Sequence, residues 1–348
     1  MELLNLYQLL SRKTRAPIIT ATFIARALGL RYLQIRLDTN NKCNLQCKMC
    51  YFSIDSVRKQ SKSFMTDEEF ADIAKKYFPL ARRVYLSCKT EPFMHKDFLS
   101  FVNVTKSYGV PFVSLVTNGT LLTRQIIDGI AESQINEIIV SVDGSTKETV
   151  EKIRPGLNYD QWLSRISDLA GSLKDCKTRI RFNMVVMRNN VSEIFGVIDL
   201  ALNLNVDLVQ IRQVHSRDAF DYEYGEHIEI DMGSESSDLE IDLAQIRDKV
   251  KSKIRGTNLR VIYPVASQRE MSLKCSYPWF NHYIDSKGEH YPCTYLPSIG
   301  KTSAHLSYRD VFSAAKRMRK DVRGNERREC KDCARLKRLY SNSEVLLP

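Results

Sequence analysis

Short β-rich runs alternate with longer amphipathic stretches from residue 33 onward. The runs are Leu33–Leu37, Val84–Ser87, Phe112–Val116, Ile138–Val142, Ile180–Val186 and Leu208–Val214. Between them apolar residues return at helical spacing, as in Asp67–Phe78, Thr123–Ala131 and Val191–Leu204. A repeated strand–helix unit predicts parallel strands with crossover helices. The fold class is therefore α/β, with six such units making a sheet or an incomplete barrel. Chemistry on such a sheet belongs at the C-terminal strand ends.

The flanks follow other patterns. Residues 1–30 read as an N-terminal helical extension: Leu3, Leu4, Leu6, Leu9 and Leu10 share a face, and Pro17 marks a break before Ile18–Leu28. Residues 31–216 form the core. Residues 217–256 comprise an acidic, polar linker with Gly225 and Gly233, then a helix over about Leu239–Ile254. Residues 257–348 make a cysteine-bearing C-terminal module.

The formal net charge is +11, and Lys and Arg gather from Lys316 through Arg338. A solvated basic face explains this, and the sharper reading is attraction of an anionic substrate. No nucleic-acid motif accompanies the charge, and no apolar run is long enough to span a membrane. The start lacks a basic n-region and a small-residue cleavage site, so a cytoplasmic location is expected. Nine cysteines in such a chain point to metal or redox chemistry and not to a disulfide framework.

Cys43, Cys47 and Cys50 follow the first strand with C-x3-C-x2-C spacing. Three thiolates can hold three irons of a four-iron cluster and leave the fourth open. Zinc is the rival, but it does not explain Cys43, and no nearby His completes a tetrahedral set. The segment resembles the signature of the radical S-adenosylmethionine (SAM) superfamily. That resemblance implies a partial (β/α)6 TIM-like barrel and a SAM-binding [4Fe–4S] cluster. The open iron would chelate SAM, and reductive cleavage would give a 5′-deoxyadenosyl radical that abstracts hydrogen. It also implies an external reductant such as flavodoxin or ferredoxin. The residue before the third cysteine is usually aromatic in the family; here Met49 stands there and Tyr51 follows. A thioether offers a comparable soft contact to adenine.

Further likenesses follow in order. Ser87-Cys88-Lys89-Thr90-Glu91-Pro92 aligns with a Gly-Gly-Glu-Pro segment whose backbone receives the SAM ammonium; Lys89 and Thr90 replace the glycines. Thr117-Asn118-Gly119 and Ser141-Val142-Asp143-Gly144 end the third and fourth strands. By the resemblance, Glu91, Asn118, Ser141 and Arg154 serve SAM, with Arg154 pairing its carboxylate. Asn183 is a further SAM candidate. Arg212 and His215 are candidates for substrate contact and proton transfer.

Cys275, Cys293, Cys330 and Cys333 form C-x17-C-x36-C-x2-C. Four thiolates suit a closed four-iron cluster or structural zinc. The pattern resembles the auxiliary modules called SPASM and, in its shorter form, Twitch; Gly288 to Cys293 matches their hairpin. One auxiliary [4Fe–4S] cluster is then implied, either as an electron acceptor or as a support for the fold. The spacing is similar to that of radical SAM dehydrogenases acting on a cyclitol. The expected reaction is oxidation of a small polar or anionic metabolite, such as a sugar, cyclitol or nucleotide-linked sugar. Modification of a peptide or protein is the alternative.

Overall fold

Strand alternation sorts the side chains of this protein into two faces. In β5 (Arg179–Val186) burial alternates strictly: Ile180, Phe182, Met184 and Val186 are buried, while Arg181, Asn183 and Val185 are partly open. The other strands are β1 (Leu33–Leu37), β2 (Ala81–Leu86), β3 (Phe112–Thr117), β4 (Glu137–Ser141), β6 (Leu208–Gln213), β7 (Arg260–Pro264), β8 (Asn281–Ile284), β9 (His290–Tyr291) and β10 (Glu344–Leu347). The computed structural model describes residues 16–213, 236–264, 280–291, 298–301 and 344–347.

The strands form one sheet in the order β10-β7-β6-β5-β4-β3-β2-β1-β8-β9. Neighbours from β7 through β1 to β8 are parallel, and the edge strands β9 and β10 are antiparallel. This is the expected α/β partial barrel, left open between β9 and β10. Helices on the outer face bury its apolar side. Asp67–Tyr77 begins with a capping box between Thr66 and Glu69. Tyr159–Leu173 presses Trp162, Ile166 and Leu169 into the core.

The core sheet runs beyond six strands. β7 lies parallel beside β6, and helix Ser236–Ile254 makes the crossover before it. The Tyr263 hydroxyl donates to the Leu243 carbonyl (2.7 Å), and Lys253 pairs with Asp199 (2.6 Å). This helix starts three residues earlier than the pattern predicts. β8 joins the other side of β1 and forms a hairpin with β9, so the Gly288 hairpin lies in the core sheet. Pro17 sits in the first turn of helix Ala16–Ala27, where a missing N–H costs no bond.

Candidate functional site

The three cysteines lie on the loop after β1. Leu45 is fully buried and anchors this loop. The N–H groups of Gln46 and Lys48 donate to the carbonyls of Pro155 and Ile153 (3.2 and 2.9 Å), so the segment after helix Lys147–Ile153 holds it from the side. Met49 and Tyr51 pack with Phe52, Ile54 and Val57 beneath it.

Cys43, Cys47 and Cys50 are free and partly exposed. Burial, with the neighbouring cysteines adding to it, pushes the Cys43 thiol up to about 11 and the Cys50 thiol up to about 12. Cys47 is also raised by burial, against the lowering influence of Arg154. Metal binding must therefore displace protons here. Two side chains aim donors at the sulfurs: Asn118 Nδ2 lies 3.7 Å from Cys43 Sγ, and Arg154 Nη1 lies 3.7 Å from Cys47 Sγ. Such N–H···S contacts help tune iron–sulfur clusters.

The donor set fits a four-iron cluster better than one ion. No group of three or more His, Cys, Asp or Glu among the described residues is arranged to hold a single metal ion. A four-iron cluster takes each thiolate at a different iron, so its ligands need not meet at one point.

The turn after β2 solves the missing-glycine problem with side chains. Ser87 adopts φ 64°, a left-handed conformation unusual for a residue with a Cβ. Its hydroxyl donates to the Thr90 carbonyl (2.6 Å). Asp38, just past β1, accepts from the N–H of Cys88 (2.6 Å) and of Lys89 (3.1 Å) on one oxygen. Its other oxygen accepts from the Tyr283 hydroxyl of β8 (2.8 Å). The Tyr51 hydroxyl donates to the Lys89 carbonyl (2.8 Å), tying the cysteine loop to this turn. Each carbonyl keeps a second lone pair for an incoming ammonium.

Glu91 is only 1% exposed, and its carboxylate braces the next strand end. It accepts from the Thr117 hydroxyl and the Asn118 N–H, both at 2.8 Å. Burial nevertheless pushes this carboxyl up to about 7, against the lowering effect of those donors. Asn118 also bonds Asn44 (2.9 Å), and its carbonyl accepts from Trp162 Nε1 (3.0 Å). Gly119, at φ 82°, leaves room for that indole: a Cβ there would stand 3.1 Å from Trp162 Nε1.

Arg154 is buried and forms an ion pair with Asp143 at 2.5 Å. Asp143 also accepts from the Val185 N–H (2.8 Å). The Arg154 Nε is buried without a hydrogen-bond partner, which is the donor position left for a carboxylate. Ser141 and Asn183 are paired across β4 and β5 on the inward face. Arg181 Nε donates to Asn183 Oδ1 (2.9 Å). Arg212 is half-buried on β6 and donates to Gln210 (2.8 Å). A guanidinium keeps its protons, so Arg212 suits anion binding and not proton acceptance. His215, Cys275, Cys293, Cys330 and Cys333 lie outside the described residues.

Asn118 is thus brought against Cys43 and Arg154 against Cys47, and Tyr51 and Glu91 brace the turns around them. Sequence reasoning alone does not single out Asp38 or Tyr283. The available hint is an acid at an inward strand end, next to a motif that lacks its glycines.

Residues 37–201 match the Radical SAM superfamily. The matched segment takes in Cys43, Cys47 and Cys50 and the ends of β1–β5, and a radical SAM domain uses a [4Fe–4S] cluster and SAM as its cofactors. Among curated proteins, a GTP 3′,8-cyclase of Synechocystis sp. is 26% identical over 183 residues, 52% of this chain and 54% of the relative. A PqqA peptide cyclase of Rhizobium meliloti is 25% identical over 199 residues, 57% of this chain and 51% of the relative. The chain thus spans about half the length of these relatives. Among solved structures, anSMEcpe with bound AdoMet superposes with a TM-score of 0.64 at 19% identity, covering 88% of this chain and 87% of that one. Streptococcus suis SuiB bound to SAM superposes at 0.62 with 13% identity, covering 88% and 72%. These likenesses establish the fold. No helix among the described residues is long and apolar enough to cross a membrane.

Proposed function

We propose that this protein is a radical SAM oxidoreductase acting on a small, polar, anionic metabolite. The observation that carries the reading is the cysteine loop: three free thiols inside a radical SAM domain, with donors from Asn118 and Arg154 on two of the sulfurs. When bound, the cluster and SAM supply a carbon radical able to take hydrogen from unactivated carbon. The chain's own part is seating and orientation. Cys43, Cys47 and Cys50 hold the cluster. The 87–91 turn, held by Asp38 and Tyr51, receives the SAM ammonium through its carbonyls. Arg154 Nε meets the SAM carboxylate. Met49, Asn118, Ser141 and Asn183 line the rest of the SAM site.

The finer reading is a dehydrogenation. The substrate loses a hydrogen atom to the 5′ carbon, then a hydroxyl proton to a base, for which His215 is the candidate. Formation of a carbonyl then needs an acceptor for the remaining electron; Cys275, Cys293, Cys330 and Cys333 would hold an auxiliary [4Fe–4S] cluster that could supply one. Support for that cluster is the cysteine spacing. An external reductant such as flavodoxin or ferredoxin primes the reaction. Peptide modification is the competing outcome, favoured by the PqqA peptide cyclase match.

The test is anaerobic reconstitution followed by incubation with deuterium-labelled metabolites and peptides. The expected result is about eight irons, the sum of two four-iron clusters, with label from a metabolite appearing in 5′-deoxyadenosine. Zinc at the four C-terminal cysteines, label arriving only from a peptide, or an epimerised product would overturn the finer reading. Absence of SAM cleavage would overturn the whole of it.

A further inference from the structure

The cysteine loop has a basic outer cover. Between Thr39 and Thr66 the chain carries five cations, Lys42, Lys48, Arg58, Lys59 and Lys62, and one acid, Asp55. A short turn (Tyr51–Ser53) after Cys50 leads into the helix Asp55–Lys59. This stretch has two sides. Phe52, Ile54 and Val57 are buried against Cys43, Met49, Cys50 and Tyr51. Lys59 is turned to solvent, with its side chain 79% exposed. Asp55 pairs with both Arg58 and Lys59, so one acid is shared between two cations.

The strip that follows is clamped to the residues just before Cys43. Lys42 Nζ donates to the carbonyls of Arg58 (3.0 Å) and Gln60 (2.6 Å). Asn41 Nδ2 donates to the Ser61 carbonyl (2.8 Å), and its Oδ1 accepts from the Ser63 N–H (2.9 Å). Asn40 and Phe64 form an antiparallel bridge. Sides alternate along this extended strip. Lys62 and Phe64 are exposed, while Ser63 is half-buried and Met65 is buried. Phe64 is 40% exposed, and its ring meets that of His95 edge-on at 5.6 Å between centroids. An exposed aromatic anchor beside a charged rim is the make-up of a protein docking surface. The next acids, Asp67, Glu68 and Glu69, occupy the first turn of helix Asp67–Tyr77, where backbone N–H groups attract them.

We propose that the outer face of residues 55–64 docks the acidic carrier protein that delivers the electron, with Lys59, Lys62 and Phe64 as principal contacts. This deepens the radical SAM reading and rests on it, since that reading requires an external reductant. The cover over the cysteines is one short helix thick here, with Val57 beneath and Lys59 outside. Opposite charge steers the carrier to this face. The carrier is oxidised by one electron and the [4Fe–4S] cluster is reduced by one; no bond forms or breaks in this step.

The experiment titrates the reconstituted, SAM-loaded protein calorimetrically with an acidic flavodoxin and, in a second arm, with an acidic ferredoxin. The expected result is saturable binding of at least one carrier, weakening as salt rises. Affinity should fall about tenfold in the double variant Lys59→Glu/Lys62→Glu, and about threefold in Lys62→Glu alone and in Phe64→Ser. Lys177→Glu, at an exposed cation just before the amino-terminal end of β5, should bind as wild type does. Iron content and 5′-deoxyadenosine yield with dithionite should match wild type in every variant, while the yield driven by reduced carrier falls with affinity. Full affinity in the double variant, an equal loss in Lys177→Glu, or no binding of either carrier would overturn the proposal. If dithionite still drives SAM cleavage in those cases, this inference alone fails. If carrier binding depends on Lys59 and Lys62 but no reductant drives cleavage, the enzymatic reading fails and the docking surface stands.

Discussion

The rim of the barrel and its inner wall are built on opposite principles. At the rim, around the cysteine loop, polar groups neutralise and brace one another: Asp38 holds two N–H groups and Tyr283, Glu91 holds Thr117 and Asn118, and Asp143 holds Arg154. On the inner wall, Glu137 pairs with Arg179 and Arg181, and aromatic rings lie beside Arg36, Arg83 and Arg179. A braced rim suits a cofactor whose geometry must not vary. The same strands supply both, because residues two apart share a face but differ in depth along the barrel.

The comparison is broken most severely at the loop itself. Cys47→Ala should abolish reductive SAM cleavage, read as 5′-deoxyadenosine yield after anaerobic reconstitution. An unchanged yield would remove the loop from the chemistry.

Next in size is the buried ion pair. Arg154→Ala leaves Asp143 buried without its partner, which should cost about 3 kcal/mol in denaturant unfolding. Arg154→Lys keeps a charge beside Asp143 but loses Nε, so it should fold better than Arg154→Ala and still bind SAM weakly. Wild-type SAM affinity in the Lys variant would exclude Arg154 from carboxylate binding.

The turn that replaces two glycines comes third. Asp38→Asn weakens a charge-assisted hold on the Cys88 and Lys89 N–H groups, and SAM affinity should fall about tenfold. Tyr283→Phe should produce a smaller loss in the same direction. Equilibrium dialysis with SAM, at matched iron content, checks both. If neither shifts, the turn is held by Ser87 and Tyr51 alone.

The smallest effect lies away from the cysteines. Glu193 accepts from Ser145, Thr146 and Thr149, and these donors hold its carboxyl near 2, well below the usual range, against the opposing effect of partial burial. A depressed folded-state value stabilises the protein above the unfolded value and is lost as pH falls towards about 2. Glu193→Gln should therefore lower stability by about 1 kcal/mol at neutral pH. The gap to wild type should close between roughly pH 4.5 and 2, as thermal melts across that range would show.

Much of this was legible without coordinates. Alternation located β1, β3, β5 and β6 within a residue or two, because a strand buried on one face must repeat every second residue. The C-x3-C-x2-C spacing marked the cysteine loop as the place for a cluster, because cluster ligands crowd into a short segment. β7 and β8 were less visible: Arg260–Pro264 and Asn281–Ile284 are short, and pairing within the sheet, not local propensity, makes them strands. Arg154 could be named as an arginine suited to a carboxylate, but its partner Asp143 lies 11 residues away and meets it only through the turn after β4.

By itself, then, the sequence determined the parallel α/β order, the spacing of the three thiols and the absence of glycines at positions 89 and 90, since each is written in local periodicity or spacing. Tertiary structure alone decided that Asp38, 50 residues from Cys88, would hold that turn, and that Tyr283, 245 residues from Asp38, would complete it. It also gathered arginines from β1, β2, β5 and β6 onto one wall. Charge carries no periodicity of its own, and like charges scattered along a chain become neighbours only when strand register sets them side by side.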